Sequence, residues 1–391
     1  MKSQIIKFDV LLLVIVLLLS VIGTAAIYSA SSYIAMEEQG NSQYFLGKQL
    51  FRLALGIILM LLFIKIDYHI LQNISPAIVV GSFFLLIYVM FNGVTINGSK
   101  RFFLINGISF QPSEVAKLAL ILFLSTYLID QQKKLKDFNE GLLPILAIIF
   151  IVIFPILLEP DLGTATIIFS ICILMIFIAG ASLYHLSGLG ALAAVAVSLF
   201  LKIFPYQKFR VVNYINAIRG VADPPYQIRQ SLISFGNGGF FGVGIGNSRQ
   251  KMHFLPHPFN DFIYSIIGEE AGFIGCIIIL ILFLLLLWRG LWIATHAPDK
   301  KGQLLAIGII VSITTYAFFN AGIALNLLPV TGITMPFISY GGSSMIVNFI
   351  GMGILLNISL QNRSSKKGGR SVQSSNRVKR SKVKYKKKRT S

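Results

Sequence analysis

Glu114 and Lys117 stand three residues apart where a long apolar run begins, a spacing that puts both on one face of a helix. Charged groups in an apolar span are costly unless they pair or face a wet cavity. The two therefore read as a self-neutralising pair or as part of a functional site. Pro112 and Ser113, just before them, suit the first turn of a helix. Glu159 and Asp161 flank Pro160 in a tight turn between two apolar runs, and Asp161 is also placed to cap the helix that follows. A glycine-rich outward stretch, 230–246, leads into Arg249 and Lys251. Glycines let backbone approach a ligand closely, and the two cations would neutralise phosphate. The stretch lacks the spacing and the preceding strand of a dinucleotide-binding loop. Asp261 then stands among Phe259, Phe262 and Tyr264 where the next apolar run starts, a setting for a helix cap or for a general base. These residue types fit proton abstraction by a carboxylate beside cations that hold an anionic group. Nothing points to a metal centre: Pro256 interrupts any helix joining His253 to His257, and Cys172 and Cys276 each lie inside apolar runs.

The elements that must position these groups are membrane helices. The chain is 55% hydrophobic and only 13% charged, with apolar runs long enough to cross a bilayer, where a helix satisfies its own backbone groups. About ten spans are predicted, centred near residues 19, 57, 83, 121, 150, 172, 195, 280, 315 and 350, which makes an all-α polytopic membrane protein. An even number puts both termini on one side. Lys2, Lys7, Lys133, Lys134, Lys136, Arg289, Lys300 and Lys301 all fall there, so that side is cytoplasmic by the positive-inside rule. The first helix reads as a retained span, since further spans follow it. The outward segments are 31–44, 92–113, 158–163, 205–261 and 328–342, and three of these five carry no Lys or Arg. The exceptions are 92–113, with Lys100 and Arg101, and the large loop 205–261 between helices 7 and 8, with Lys208, Arg210, Arg219 and Arg229 besides Arg249 and Lys251. A long translocated loop can ignore the rule. The alternative is a cationic vestibule for an anionic substrate arriving from outside.

The net charge of +19 would suggest nucleic acid were it spread over the chain, but its location argues otherwise. The tail 361–391 holds 13 Lys or Arg and no Asp or Glu, which leaves +6 for the membrane domain 1–360. Such a tail has little apolar surface to bury and is expected to be disordered in the cytoplasm. Attraction to anionic lipid headgroups accounts for it, with partner docking as the alternative.

A last stretch, 326–344, places Pro329, Pro336, Gly332, Gly341 and Gly342 in an otherwise apolar region, so the backbone is irregular at membrane depth. That is tolerated where it is buried in protein or lines a wet cavity. With this stretch added, the motifs at 100–117, 159–164, 227–275 and 327–344 converge on one family. The chain resembles the SEDS proteins, named for shape, elongation, division and sporulation. The likeness covers most of the membrane region but not the tail.

The resemblance implies a ten-helix peptidoglycan glycosyltransferase that polymerises lipid II on the outer face of the bacterial cytoplasmic membrane. It implies action with a class B penicillin-binding protein, a crosslinking transpeptidase, among other divisome or elongasome membrane proteins. Carried over by position, Asp261 is the catalytic acid residue, Glu114 and Lys117 the charged pair of the central cavity, Arg52 the basic residue of the second span, and Asp161 the turn carboxylate. The family's usual His-Thr-Asp is replaced here by Phe259-Asn260-Asp261, so a role for that histidine does not carry over. The segment 246–251 is closer to division-type members than to elongation-type ones. The implied reaction is a single inverting displacement: Asp261 deprotonates the 4-hydroxyl of the acceptor sugar, which attacks the anomeric carbon of the donor. Arg249, Lys251, Lys117 and Arg52, or a bound Mg²⁺ or Mn²⁺, would stabilise the departing undecaprenyl diphosphate, and no organic cofactor is implied. A lipid II flippase and a non-catalytic scaffold for the crosslinking partner are the rival readings.

Overall fold

A computed structural model of the chain describes residues 8–361 except 97, 98, 106, 107 and 257. Ten helices occupy the predicted spans: α1 (Val10–Gln39), α2 (Tyr44–Lys65), α3 (Tyr68–Asn92), α4 (Pro112–Asp130), α5 (Leu143–Leu158), α6 (Leu162–Ile178), α7 (Leu183–Ile203), α10 (Ile263–Thr295), α11 (Lys300–Ala324) and α12 (Ser343–Gln361). Between α7 and α10 lie two shorter helices, α8 (Pro205–Ile218) and α9 (Tyr226–Gly238). Of the ten spans α6 is among the shortest, at 17 residues, the lower end of the roughly 17–25 that cross a bilayer. Of the two aspartates expected as caps, Asp161 accepts from the Thr164 amide, whereas the helix after Asp261 starts behind Phe262 with no side-chain cap; Asp9 and Asp299 also cap, accepting from the Leu12 and Gly302 amides.

Side-chain ties across one end of the bundle fix its sidedness. Asp9 pairs with Arg289 at 2.6 Å, Asp130 with Lys301 at 2.7 Å, the Tyr68 hydroxyl donates to Asp299 at 2.5 Å, and Gln361 donates to Asp67 at 2.9 Å. The start of α1 and the end of α12 therefore share this basic end, as the even span count requires. The tail beyond Gln361, Lys2, Lys7 and His257 lie outside the described residues. Burial concentrates on α4, α11 and α12, which form the centre of the bundle. By contrast, none of the described residues of α7 is buried, and only a few, such as Leu186 and Leu189, pack against the core.

Two elements at the outward end differ from the sequence expectation. Residues in 92–113 form a small antiparallel sheet, β1 (Val94–Ile96), β2 (Ser99–Ile105) and β3 (Ile108–Phe110), in the order β1-β2-β3. Its alternation is short and sits between two strong helical runs, which hides it from a hydropathy reading. The stretch 230–238, expected as part of a glycine-rich loop, is the body of α9. Its glycines, Gly236 and Gly238, both stand in the final turn, and Ser231 fastens the helix to the bundle by bonding Ser265 and the Ala324 carbonyl, each at 2.6 Å. The true loop begins at Gly239.

Candidate functional site

The outward end holds a cavity of ≈ 230 Å³ walled by β2, the starts of α4 and α12, the turn before α10 and the irregular segment 332–344. That segment is held in shape by α11. The Asn320 side-chain amide donates to the backbone carbonyls of both Asp261 and Ile333, at 2.8 and 2.6 Å, and so pins the two strands of irregular chain to each other. The Tyr340 amide donates to the Phe259 carbonyl at 2.9 Å, extending the same seam. On the opposite side β3 packs so closely on Gly342 that a Cβ there would stand 2.0 Å from the Ser109 carbonyl oxygen. Ser343 accepts from the Gln111 amide at 2.8 Å, which ties the start of α4 to the start of α12. These contacts explain Gly342 and Ser343 of the 341–344 motif.

Asp261 lines this cavity, half-buried. Facing it is Arg101, from β2. The Arg101 Nη1 donates to Asp161 Oδ2 at 3.0 Å, while Asp161 also caps α6 through the Thr164 amide and accepts from the Thr164 hydroxyl. A Cβ on Gly332 would lie 3.5 Å from Asp261 Oδ2 and 3.6 Å from Arg101 Nη2, so both charges border the space over that glycine. Deeper, Lys117 Nζ sits 2.7 Å from Glu114 Oε2, both side chains 4% exposed, and 4.1 Å above the Tyr316 ring. The pair predicted from spacing is formed, and Glu114 and Tyr316 also line the cavity.

Arg52 on α2 is 2% exposed and lies 4.2 Å from the centre of the Tyr340 ring, on which a guanidinium stacks favourably. Its Nε and Nη1 have no hydrogen-bond partner among the described residues, and neither does Oε1 of Gln49 on the same helix. Buried donors left without partners are rare and mark a place for water, an ion or a ligand. Phe45, Phe259 and Tyr340 form an aromatic cluster with centroids 4.8–5.6 Å apart that joins α2 to the cavity wall.

The two cations of the glycine-rich loop lie elsewhere. Lys251 is 4% exposed and donates to Glu270, to the Gly246 carbonyl and to Ser29, at 3.2, 2.6 and 3.3 Å. It is committed to holding the loop on α1 and α10, and the structure does not bring it to the cavity. In this position it acts as an internal tie, away from the cavity where a role on phosphate was expected. Beside it Glu269 accepts from Ser248, Asn237 and the Gln250 amide. Arg249 is exposed on the loop surface, outside the cavity lining. His253 pairs with Glu37 at 2.6 Å at the surface.

Glu159 is the other surprise. It is 3% exposed and neither carboxylate oxygen has a partner among the described residues. Burial, reinforced by the neighbouring Asp161 and only partly countered by Arg101, pushes its pKa up to about 8. Sequence reasoning marked the turn but not this environment. It also passed over Arg101 as a site residue, along with the cavity's Gln111, Asn260 and Tyr316. The one available signal was the presence of Lys100 and Arg101 in an outward segment.

A bundle of ten apolar helices, carrying at its outward end a cavity where one aspartate faces cations, defines a polytopic membrane protein with a site for an anionic ligand. The chain belongs to the FtsW/RodA/SpoVE family of cell cycle proteins, whose family model matches residues 9–364. It is 42% identical to stage V sporulation protein E of Bacillus subtilis over 357 residues, 91% of this chain and 98% of that one. It is 36% identical to a probable peptidoglycan glycosyltransferase FtsW of a Geobacter species, over 92% of this chain and 98% of the other. Among solved structures it is similar to a chain of a peptidoglycan synthase complex that coordinates polymerization and crosslinking, with a TM-score of 0.75 and 28% identity, over 91% of this chain and 98% of that one. It is also similar to the rod shape determining protein RodA of Thermus thermophilus, with a TM-score of 0.66 and 27% identity, over 90% and 97%.

Proposed function

We infer that this protein is a peptidoglycan glycosyltransferase that polymerises lipid II at the outer face of the bacterial cytoplasmic membrane. The observation that carries the reading is the outward cavity in which the Asp261 carboxylate and a guanidinium both border the space over Gly332. Asp261 takes the proton of the acceptor's 4-hydroxyl as that oxygen attacks the anomeric carbon of the donor. Displacement with inversion needs no covalent intermediate on the protein, and one carboxylate suffices. Lys117 and Arg52 supply positive potential in a site screened from water, where charge stabilisation is strongest. Mg²⁺ or Mn²⁺ would add Lewis-acid stabilisation of the diphosphate. No cluster of three or more His, Cys, Asp or Glu among the described residues is arranged for a metal. A cation held chiefly by phosphate needs only one or two carboxylates, and the cavity offers Asp261 and Glu114.

The partner proposed is a class B penicillin-binding protein, which would crosslink the emerging strand, within a division or sporulation assembly at the septum. The relatives named above support the division branch. The basic tail would hold anionic lipid on the cytoplasmic side. Purified protein in detergent, given lipid II, should form glycan strands, since no flipping is needed there. Transfer of lipid II across vesicles without any polymer would favour a flippase. Neither activity, with the partner's crosslinking restored by adding the protein, would favour a scaffold.

A further inference from the structure

The cations around the cavity are not equivalent. Lys117 is closed into its pair with Glu114, and Arg52 lies against the ring of Tyr340. Arg101, like Arg52, keeps a donor without a partner among the described residues, but of the three it alone lines the cavity. One branch of its guanidinium is held by Asp161, its Nε has no partner among the described residues, and the side chain keeps 15% of its surface open. Its Nη2 and the Asp261 Oδ2 lie 3.6 and 3.5 Å from the point where a Cβ would stand on Gly332. The two atoms are thus no more than about 7 Å apart, and both border the space over Gly332.

We propose that Arg101 is the cation that receives the diphosphate leaving group, acting with Asp261 in the space over Gly332, and that Asp161 is the positioning residue that aims it. The assignment rests on the glycosyltransferase reading above. In an inverting displacement the attacking and departing oxygens lie on opposite sides of the anomeric carbon, so base and leaving-group cation must flank the sugar. Inverting glycosidases hold their two groups about 6.5–9.5 Å apart for the same reason. The upper limit of about 7 Å between Asp261 Oδ2 and Arg101 Nη2 reaches the short end of that range. The step balances as follows: a bond forms between the acceptor oxygen and the anomeric carbon, and the bond from that carbon to the diphosphate oxygen breaks. Its electron pair leaves with the diphosphate, and the hydroxyl proton passes to Asp261. The diphosphate gains one negative charge, and a planar guanidinium with donors to spare suits it better than an ammonium already paired.

The test uses the full chain in detergent, after wild-type polymerisation of lipid II has been measured, so that failure of the broader reading is seen first and separately. R101A should lower kcat roughly 100-fold, the cost of losing one charge-stabilising donor. It should also weaken direct binding of geranylgeranyl diphosphate, used as the leaving-group probe, at least tenfold. R101K should fall between. R101A/D161N removes the Asp161 carboxylate that R101A alone would leave without its cation, which keeps the test valid if R101A alone fails to fold, and it should be as slow as R101A. Recovery of wild-type kcat in the double variant would reduce Arg101 to a partner for Asp161 and overturn the proposal. Undiminished diphosphate binding by any folded Arg101 variant would overturn it as well.

Discussion

Two polar clusters lie at the outward end of the bundle, and they are built on opposite terms. Under the glycine-rich loop, Glu269, Glu270, Ser248, Lys251 and Ser29 satisfy one another, with the loop's backbone drawn in as well. The amides of Val243 and Gly244 donate to the carbonyls of Glu269 and Glu270, and those of Phe273 and Ile274 to Gly239 and Phe240. The exchange is possible because Gly272 breaks α10 at φ 66° and ψ −164°, freeing its backbone to face the loop. In the cavity the accounts are left open. Arg101 and Asn260 on its wall, and Arg52 and Glu159 outside its lining, all keep buried polar atoms without partners among the described residues. A closed cluster stabilises the fold; an open one costs stability and has room for a ligand. Basic residues in an outward loop therefore do not by themselves mark a substrate site, and the hydrogen-bond account separates the two cases.

The largest effect that would sharpen this contrast is expected at Lys251. Lys251→Ala leaves Glu270 buried without its cation, a loss of about 3–5 kcal/mol. Unfolding of the purified variant at a much lower temperature checks it, and K251M/E270L should recover most of the loss. If Lys251→Ala instead folds normally and loses only activity, the loop cluster belongs with the site.

Next is Gly242→Ala. A Cβ there would meet the Glu270 carbonyl oxygen at 2.1 Å in a backbone at φ +80°, so about 1–3 kcal/mol of strain is expected besides the clash. Its thermal midpoint should drop, while kcat measured at low temperature on the folded fraction stays near the wild-type value.

Glu159 gives a smaller, pH-dependent effect. From an ordinary value of 4.5 up to about 8, the folded protein keeps a proton that the unfolded chain has released. Its contribution therefore favours folding most below about pH 4.5 and declines as pH rises through that window. Glu159→Gln should flatten the fall of the melting temperature between pH 5 and pH 8. An unchanged slope would place the carboxyl in a wetter setting than the cavity rim. The smallest effect is expected at Arg249, whose exposed side chain lies off the cavity: Arg249→Ala should change stability by no more than about 0.5 kcal/mol. Its KM for lipid II should change by less than the value for Arg52→Ala.

Much of this was legible in the sequence, for reasons that differ by residue. Glu114 and Lys117 pair because helix geometry alone brings positions three apart together. Asp161 caps α6 by an equally local rule. The spans followed from hydropathy, since a bilayer admits little else. Arg101 was not legible as a site residue because its partner is 60 positions away, across a β-hairpin too short to show a period. Lys251 misled for the same reason in reverse. Its neighbours in sequence are glycines and polar residues that suggest a ligand, while Glu270 and Ser29, which claim it, lie 19 and 222 positions away. Arg52 was placed only by family resemblance, and its burial against Tyr340 depends on a contact between α2 and the segment before α12.

The central claim is that Asp261 performs the chemistry in the open cluster. Its most direct test is polymerisation of fluorescent lipid II in detergent by the wild type and by a folded Asp261→Ala variant. Glycan strands from the wild type and a loss of roughly 10²–10⁴-fold in the variant are predicted, the usual worth of a positioned base. Full polymerising activity in well-folded Asp261→Ala would contradict the account.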